Sequence, residues 1–131
     1  FLDWGLFARF ERLFLRLFLE DEDLHVHLLL DVSRSMAFGE PQKLLFAKRV
    51  AAALGFVGLV NLDRVTVTAF ADKVLSKSPA FRGRPALPRL LAALEALEPA
   101  GAGDFNRAMR QVAPTLSGRG VVVVLSDFLD R

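Results

Sequence analysis

The run Leu28-Leu29-Leu30, apolar at consecutive positions and stopped by Asp31, constrains this chain more than any other feature. A half-solvated strand alternates apolar and polar residues, because successive side chains point to opposite faces. A strand without that alternation must be covered on both faces, as central strands of parallel sheets are. The segment from Leu24 to Leu30 alternates only at its start, through His25 and His27. The run from Val121 to Leu125 repeats the pattern, and an acid follows it too, in Ser126-Asp127. Two such strands call for a parallel sheet between layers of helix.

The rest of the chain supplies those layers. Residues 32–42 hold Ser, Gly and Pro and read as a loop. From Lys43 to about Val60, Leu44, Ala47, Ala51, Leu54 and Gly58 keep one helical face apolar and small. Asn61-Leu62-Asp63 ends that helix, and Arg64 to Phe70 is a β-branched strand. Asp72-Lys73 turns the chain into a short antiparallel edge strand from Val74 to Ser78. Pro79 to Arg84 reads as a loop. A second helix is predicted from Pro85 to Leu97, and a third from an Asp104 N-cap to about Leu116, with Pro114 weakening its last turn. Strands alternating with helices predict an α/β fold, a mostly parallel sheet with helices on both faces.

The front of the chain is less regular. Leu13, Leu15, Leu17 and Leu19 alternate with Arg12, Phe14, Arg16 and Phe18, which predicts a leading strand. Arg9, Arg12, Arg16 and Glu20 also fall at helical spacing, but Glu11 would then sit on the apolar side. Residues 1–23 are therefore expected to be a linker and leading strand from a preceding region. Phe1, Phe7, Phe10, Phe14 and Phe18 are expected to pack in the core or on a missing preceding domain rather than form an exposed docking patch.

Composition removes several functions. With 131 residues, 53% of them hydrophobic, the chain suits one domain with a sizeable core. No apolar run is long enough to span a bilayer. The absence of cysteine excludes disulfides and thiolate sites and points to a reducing compartment, the cytoplasm. A net charge of +2 with scattered arginines makes no nucleic-acid footprint.

Ligands of open parallel sheets bind at the carboxyl ends of the strands. That rule selects three loops: Asp31-Val32-Ser33-Arg34-Ser35, Gly101-Ala102-Gly103-Asp104, and Ser126-Asp127. Alternate spacing places Asp31, Ser33 and Ser35 on one side of a turning segment. A carboxylate and two hydroxyls suit a hard divalent cation, which takes oxygen ligands. Asp127 can join through water from the neighbouring strand. The blander alternative is that Asp and Ser merely satisfy loop amides.

These residues carry a resemblance. The segment LLLDVSRSMAFG at 28–39 resembles the metal-ion-dependent adhesion motif of von Willebrand factor type A domains. More narrowly, it is similar to the bacterial family catalogued as domain of unknown function fifty-eight. Asp3-Trp4 with Ala8-Arg9, Asp63-Arg64-Val65, and Arg119-Gly120 with VVVVLSDFLD at 121–130 resemble further marks of that family, in the same order. The resemblance implies a Rossmann-like sheet over residues 24–131, cut at both ends from a larger protein. It implies Asp31, Ser33 and Ser35 as first-loop ligands of Mg²⁺ or Mn²⁺, with Asp127 as the third-loop acid. The family's second-loop Thr is replaced by Gly103, which has no side chain; Asp104 beside it can compensate or act only as a helix cap. It also implies a protein partner, with a MoxR-type AAA+ ATPase as the candidate.

The expected function is a non-enzymatic protein-interaction module that depends on a divalent cation. A metal-free scaffold of the same fold is the alternative. A Mg²⁺-dependent phosphohydrolase ranks lower, since the haloacid dehalogenase chemistry needs an acid where Ser33 stands. His25 and His27 share a face at the far end of their strand, away from these loops, and no third zinc ligand accompanies them. If the fold continues beyond this chain, Val121 to Leu125 would lie at an unpaired edge here, and self-association is expected.

Overall fold

The computed structural model describes residues 24–39, 42–116 and 120–127. The leading strand expected within residues 1–23, with its phenylalanines, lies outside the described residues. The four strands among the described residues are β1 (His25–Asp31), β2 (Arg64–Phe70), β3 (Val74–Lys77) and β4 (Gly120–Leu125). They form one sheet in the order β3-β2-β1-β4. β1 pairs in parallel with both β2 and β4, placing Leu28 level with Val67 on one side and Val123 on the other. β3 runs antiparallel to β2, as the turn at Asp72-Lys73 predicts. The fold is a Rossmann-like α/β sheet, mostly parallel.

Among the described residues, three α-helices cover it: α1 (Lys43–Val60), α2 (Leu87–Glu95) and α3 (Phe105–Val112). Alternation along the strands divides the sheet into two faces. Val26, Leu28, Leu30, Val65, Val67, Val123 and Leu125 meet α1 and α2 in the larger core. Leu29 and Phe70 meet Ala108 and Val112 of α3 in a smaller one. Helices therefore lie on both faces, and the apolar run at Leu28-Leu29-Leu30 is explained: each residue has a helix opposite it. Small residues bring α1 close to the sheet. A methyl group added at Gly58 would lie 2.9 Å from Val65 Cγ2.

Helix ends differ from expectation in local ways. The second helix begins as a 3₁₀ turn at Arg84–Ala86 and becomes α-helical only from Leu87, ending at Glu95 rather than Leu97. Pro85 and Pro88 lack the N–H groups that would be unsatisfied in a first turn anyway, so both sit at its start. The third helix stops at Val112 and continues as a 3₁₀ turn over Ala113–Thr115, where Pro114 withholds a hydrogen bond. The segment read as a loop between Pro79 and Arg84 contains Phe81, whose backbone bridges Val65 and whose side chain is buried. At the end of α1, Leu62 takes a left-handed φ of 62°, and the Asp63 N–H donates to the Gly58 carbonyl at 2.9 Å. The buried Asp63 carboxylate then accepts from the Leu24 N–H at 3.0 Å, which ties the start of β1 to β2. No helix among the described residues is long and apolar enough to cross a membrane.

At the amino end of the sheet, His25 and His27 stack with ring centroids 3.8 Å apart. Both contact Thr66 Oγ1, His25 through Nε2 at 3.2 Å and His27 through Nδ1 at 3.3 Å. Burial, then the positive charges of His25, Lys77 and Arg64, lower the His27 pKa from 6.5 to about 4. The unfolded chain therefore takes up this proton before the folded one does. Stability is full above about pH 6.5 and falls as the pH drops toward 4. Urea unfolding should show wild type losing about 2–3 kcal/mol more than His27→Gln between pH 7 and 4.5. Equal losses in the two proteins would show that His27 is protonated normally in the fold.

Candidate functional site

Parallel pairing of β1 with β4 delivers their carboxyl ends side by side, and the site is built there. Leu30 is level with Leu125, so the next residues, Asp31 and Ser126, emerge together. Ser126 Oγ donates to Asp31 Oδ2 at 2.6 Å. The other Asp31 oxygen, Oδ1, accepts from the Ser33 N–H at 2.8 Å, closing a local turn of the kind Asp favours. That turn aims Ser33 and Ser35 the same way, and their hydroxyls lie 3.4 Å apart. Asp31 and Ser33 are buried. A 3₁₀ turn over Arg34–Ala37 carries the chain away from the sheet.

Backbone bonds fix the second loop against the first. The Arg34 N–H donates to the Gly101 carbonyl at 3.0 Å, and the Ala100 N–H to the Val32 carbonyl at 2.6 Å. Gly101 needs its left-handed φ of 76° for this path. Gly103 lies directly on Ser33: a Cβ there would stand 3.2 Å from both Ser33 Cβ and Oγ. The missing side chain thus has a packing consequence, the close approach of the two loops. Asp104 caps α3, its carboxylate accepting from the Arg107 N–H at 3.1 Å. Asp127 arrives from β4 and pairs with Lys43 Nζ at 3.2 Å.

Asp31, Ser33, Ser35, Gly103, Asp104 and Asp127 all line one cleft of about 290 Å³, together with Arg34 and Phe105. The structure therefore brings together every residue selected from the sequence for this site. Two further side chains take part: Ser126, which lies in the third selected loop but was given no role of its own, and Lys43, which was missed. Ser126 carries a signal, because it directly follows a buried parallel strand level with the one ending in Asp31. Lys43 carries only an indirect one, a cation at the start of a helix whose first turn holds no acid.

The sequence profile of the family described as "Protein of unknown function DUF58" matches residues 1–131. The chain belongs to this family. Among its relatives are the uncharacterized protein Mb1516 of Mycobacterium bovis and the uncharacterized protein Rv1480 of Mycobacterium tuberculosis. Each is 29% identical over 133 aligned residues, covering 98% of this chain and 42% of the relative. The chain thus spans less than half the length of these relatives.

The donor chemistry of the DUF58 cleft can be set against a divalent cation. Its side-chain donors at Asp31, Ser33, Ser35 and Asp127 are all oxygen, which suits Mg²⁺ or Mn²⁺ and disfavours soft metals. Among the described residues there is no cluster of three or more His, Cys, Asp or Glu side chains placed to hold a metal. A bound cation would therefore take hydroxyls, water and outside oxygens to fill its shell. Asp104 is committed to the cap and is the weakest of the candidate ligands.

Proposed function

We propose that this chain is a von Willebrand factor type A-like interaction module without catalytic activity. It binds a partner protein through Mg²⁺ or Mn²⁺ held at Asp31, Ser33, Ser35 and Asp127. The observation that carries this reading is the meeting of two carboxylates and two hydroxyls from two loops in one open cleft. A hard cation with an incomplete protein shell presents open positions, and a carboxylate of a partner fits them. The family resemblance makes a MoxR-type AAA+ ATPase the candidate partner. The lack of cysteine supports a cytoplasmic setting.

A metal-free module is the second reading. It is favoured by the hydrogen bonds that already satisfy both Asp31 oxygens and by the Lys43 ammonium on Asp127. One experiment separates the two: amide shifts of Ser33, Ser35 and Gly103 are followed by NMR as Mg²⁺ and then acetate are added. The cation reading expects saturable shifts with Mg²⁺, and a response to acetate only once Mg²⁺ is present. A response to acetate that ignores Mg²⁺ selects the metal-free reading. Silence toward both removes the cleft from consideration.

A further inference from the structure

Lys43 is the first residue of α1, and that first turn holds no acid. A cation there faces the positive end of the helix dipole, an unfavourable placement. Its compensation comes from 84 residues away, where Asp127 Oδ2 lies 3.2 Å from Nζ. The two groups differ in their contact with water. The Asp127 side chain is 11% exposed and that of Lys43 38%. A carboxylate withdrawn from water needs a positive partner, whereas a half-exposed ammonium can exchange that partner for water. Asp127 also lines the cleft with Asp31, Ser33 and Ser35.

We propose that Lys43 is the built-in cation of this cleft: its ammonium holds Asp127 in place of a divalent ion and thereby sets how tightly such an ion binds. The inference rests on the cation reading given above. An entering Mg²⁺ or Mn²⁺ meets a positive charge already seated on one of its two acids. It must either displace the ammonium or bind beside it, and both routes cost affinity. The lysine stem is long, flexible and strongly hydrated at its tip, so displacement into water is open to it. Lys43 thus determines the cation threshold of the cleft without being a ligand.

The test is isothermal titration of Mn²⁺ and Mg²⁺ into the full chain as wild type, Lys43→Met and Lys43→Arg. Thermal melts report whether each variant is folded. Lys43→Met should bind about fivefold to tenfold more tightly, the scale of losing a partly screened ion pair together with a nearby repulsive charge. Lys43→Arg should stay near wild type, because the charge remains. Binding seen only in Lys43→Met would support the inference most strongly. Wild-type binding that is unchanged or weakened in Lys43→Met overturns the role of Lys43 and leaves the cation reading standing. No binding in either protein overturns both. Should Lys43→Met fail to fold, Lys43→Gln carries the same comparison.

Discussion

Asp31→Ala should abolish the Mg²⁺ and Mn²⁺ binding proposed for the cleft, a loss of at least about 100-fold, and should lower folding stability by about 2–3 kcal/mol. The first effect follows from the place of Asp31 in the proposed site. Changing groups that merely orient ligands costs tenfold to 100-fold in metal affinity, and loss of a central carboxylate should cost no less. The second effect follows from its two hydrogen bonds, which bind the Ser33 N–H and the Ser126 hydroxyl. Truncation leaves both donors without that acceptor, at roughly 1–1.5 kcal/mol each.

A second substitution separates these effects. Asp31→Asn keeps an amide oxygen for the Ser33 N–H but removes the charge. It should lose cation binding like Asp31→Ala while staying within about 1 kcal/mol of wild-type stability. Titration calorimetry and urea unfolding measure the two quantities independently. Wild-type cation affinity in Asp31→Asn would show that the carboxylate charge plays no part, and the cation reading of the cleft would fall.

The contrast between Asp31 and Lys43 shows how far a sequence can be read here. Asp31, Ser33 and Ser35 lie within one short stretch, immediately after a strand whose double-sided burial is written in Leu28-Leu29-Leu30. Local pattern and the rule of strand carboxyl ends suffice to select them. Asp127 follows by the same logic from Val121 to Leu125. The pairing of Lys43 with Asp127 spans 84 positions and depends on how α1 crosses the sheet, which periodicity does not encode. Phe81 was hidden differently. A single aromatic among Pro, Gly and Arg has no pattern around it, so its bridge to Val65 appears only in three dimensions. The packing of Gly103 on Ser33 is likewise tertiary. From the sequence the glycine is a missing ligand, and in the fold it is also what lets two loops touch.

Gly58→Leu should cost about 4 kcal/mol, above the usual range for overpacking, because the space it enters is already filled by stiff side chains. A Cβ at Gly58 stands 2.9 Å from Val65 Cγ2 and 3.5 Å from Val26 Cγ2. Both valines are 0% exposed and belong to central strands, and a β-branched side chain has little rotamer freedom with which to yield. The remaining response is for the carboxyl-terminal half of α1 to lift from the sheet, uncovering Val26 and Val65. Gly58→Ala places its Cβ at both of these distances but adds nothing beyond it and gains about 1 kcal/mol of helix propensity, so it should be milder than the leucine. Against a typical total of about 5–15 kcal/mol, the leucine variant should show a large fall in urea midpoint with an unchanged slope. A shift below about 1 kcal/mol would mean that α1 does not sit on β1 and β2 this closely. The candidate site offers an internal control. Lys43 and Gly58 lie at opposite ends of α1, about 22 Å apart at the helical rise. Where the leucine variant remains folded, its cation affinity should match wild type, since one end of the helix seals the core and the other faces Asp127.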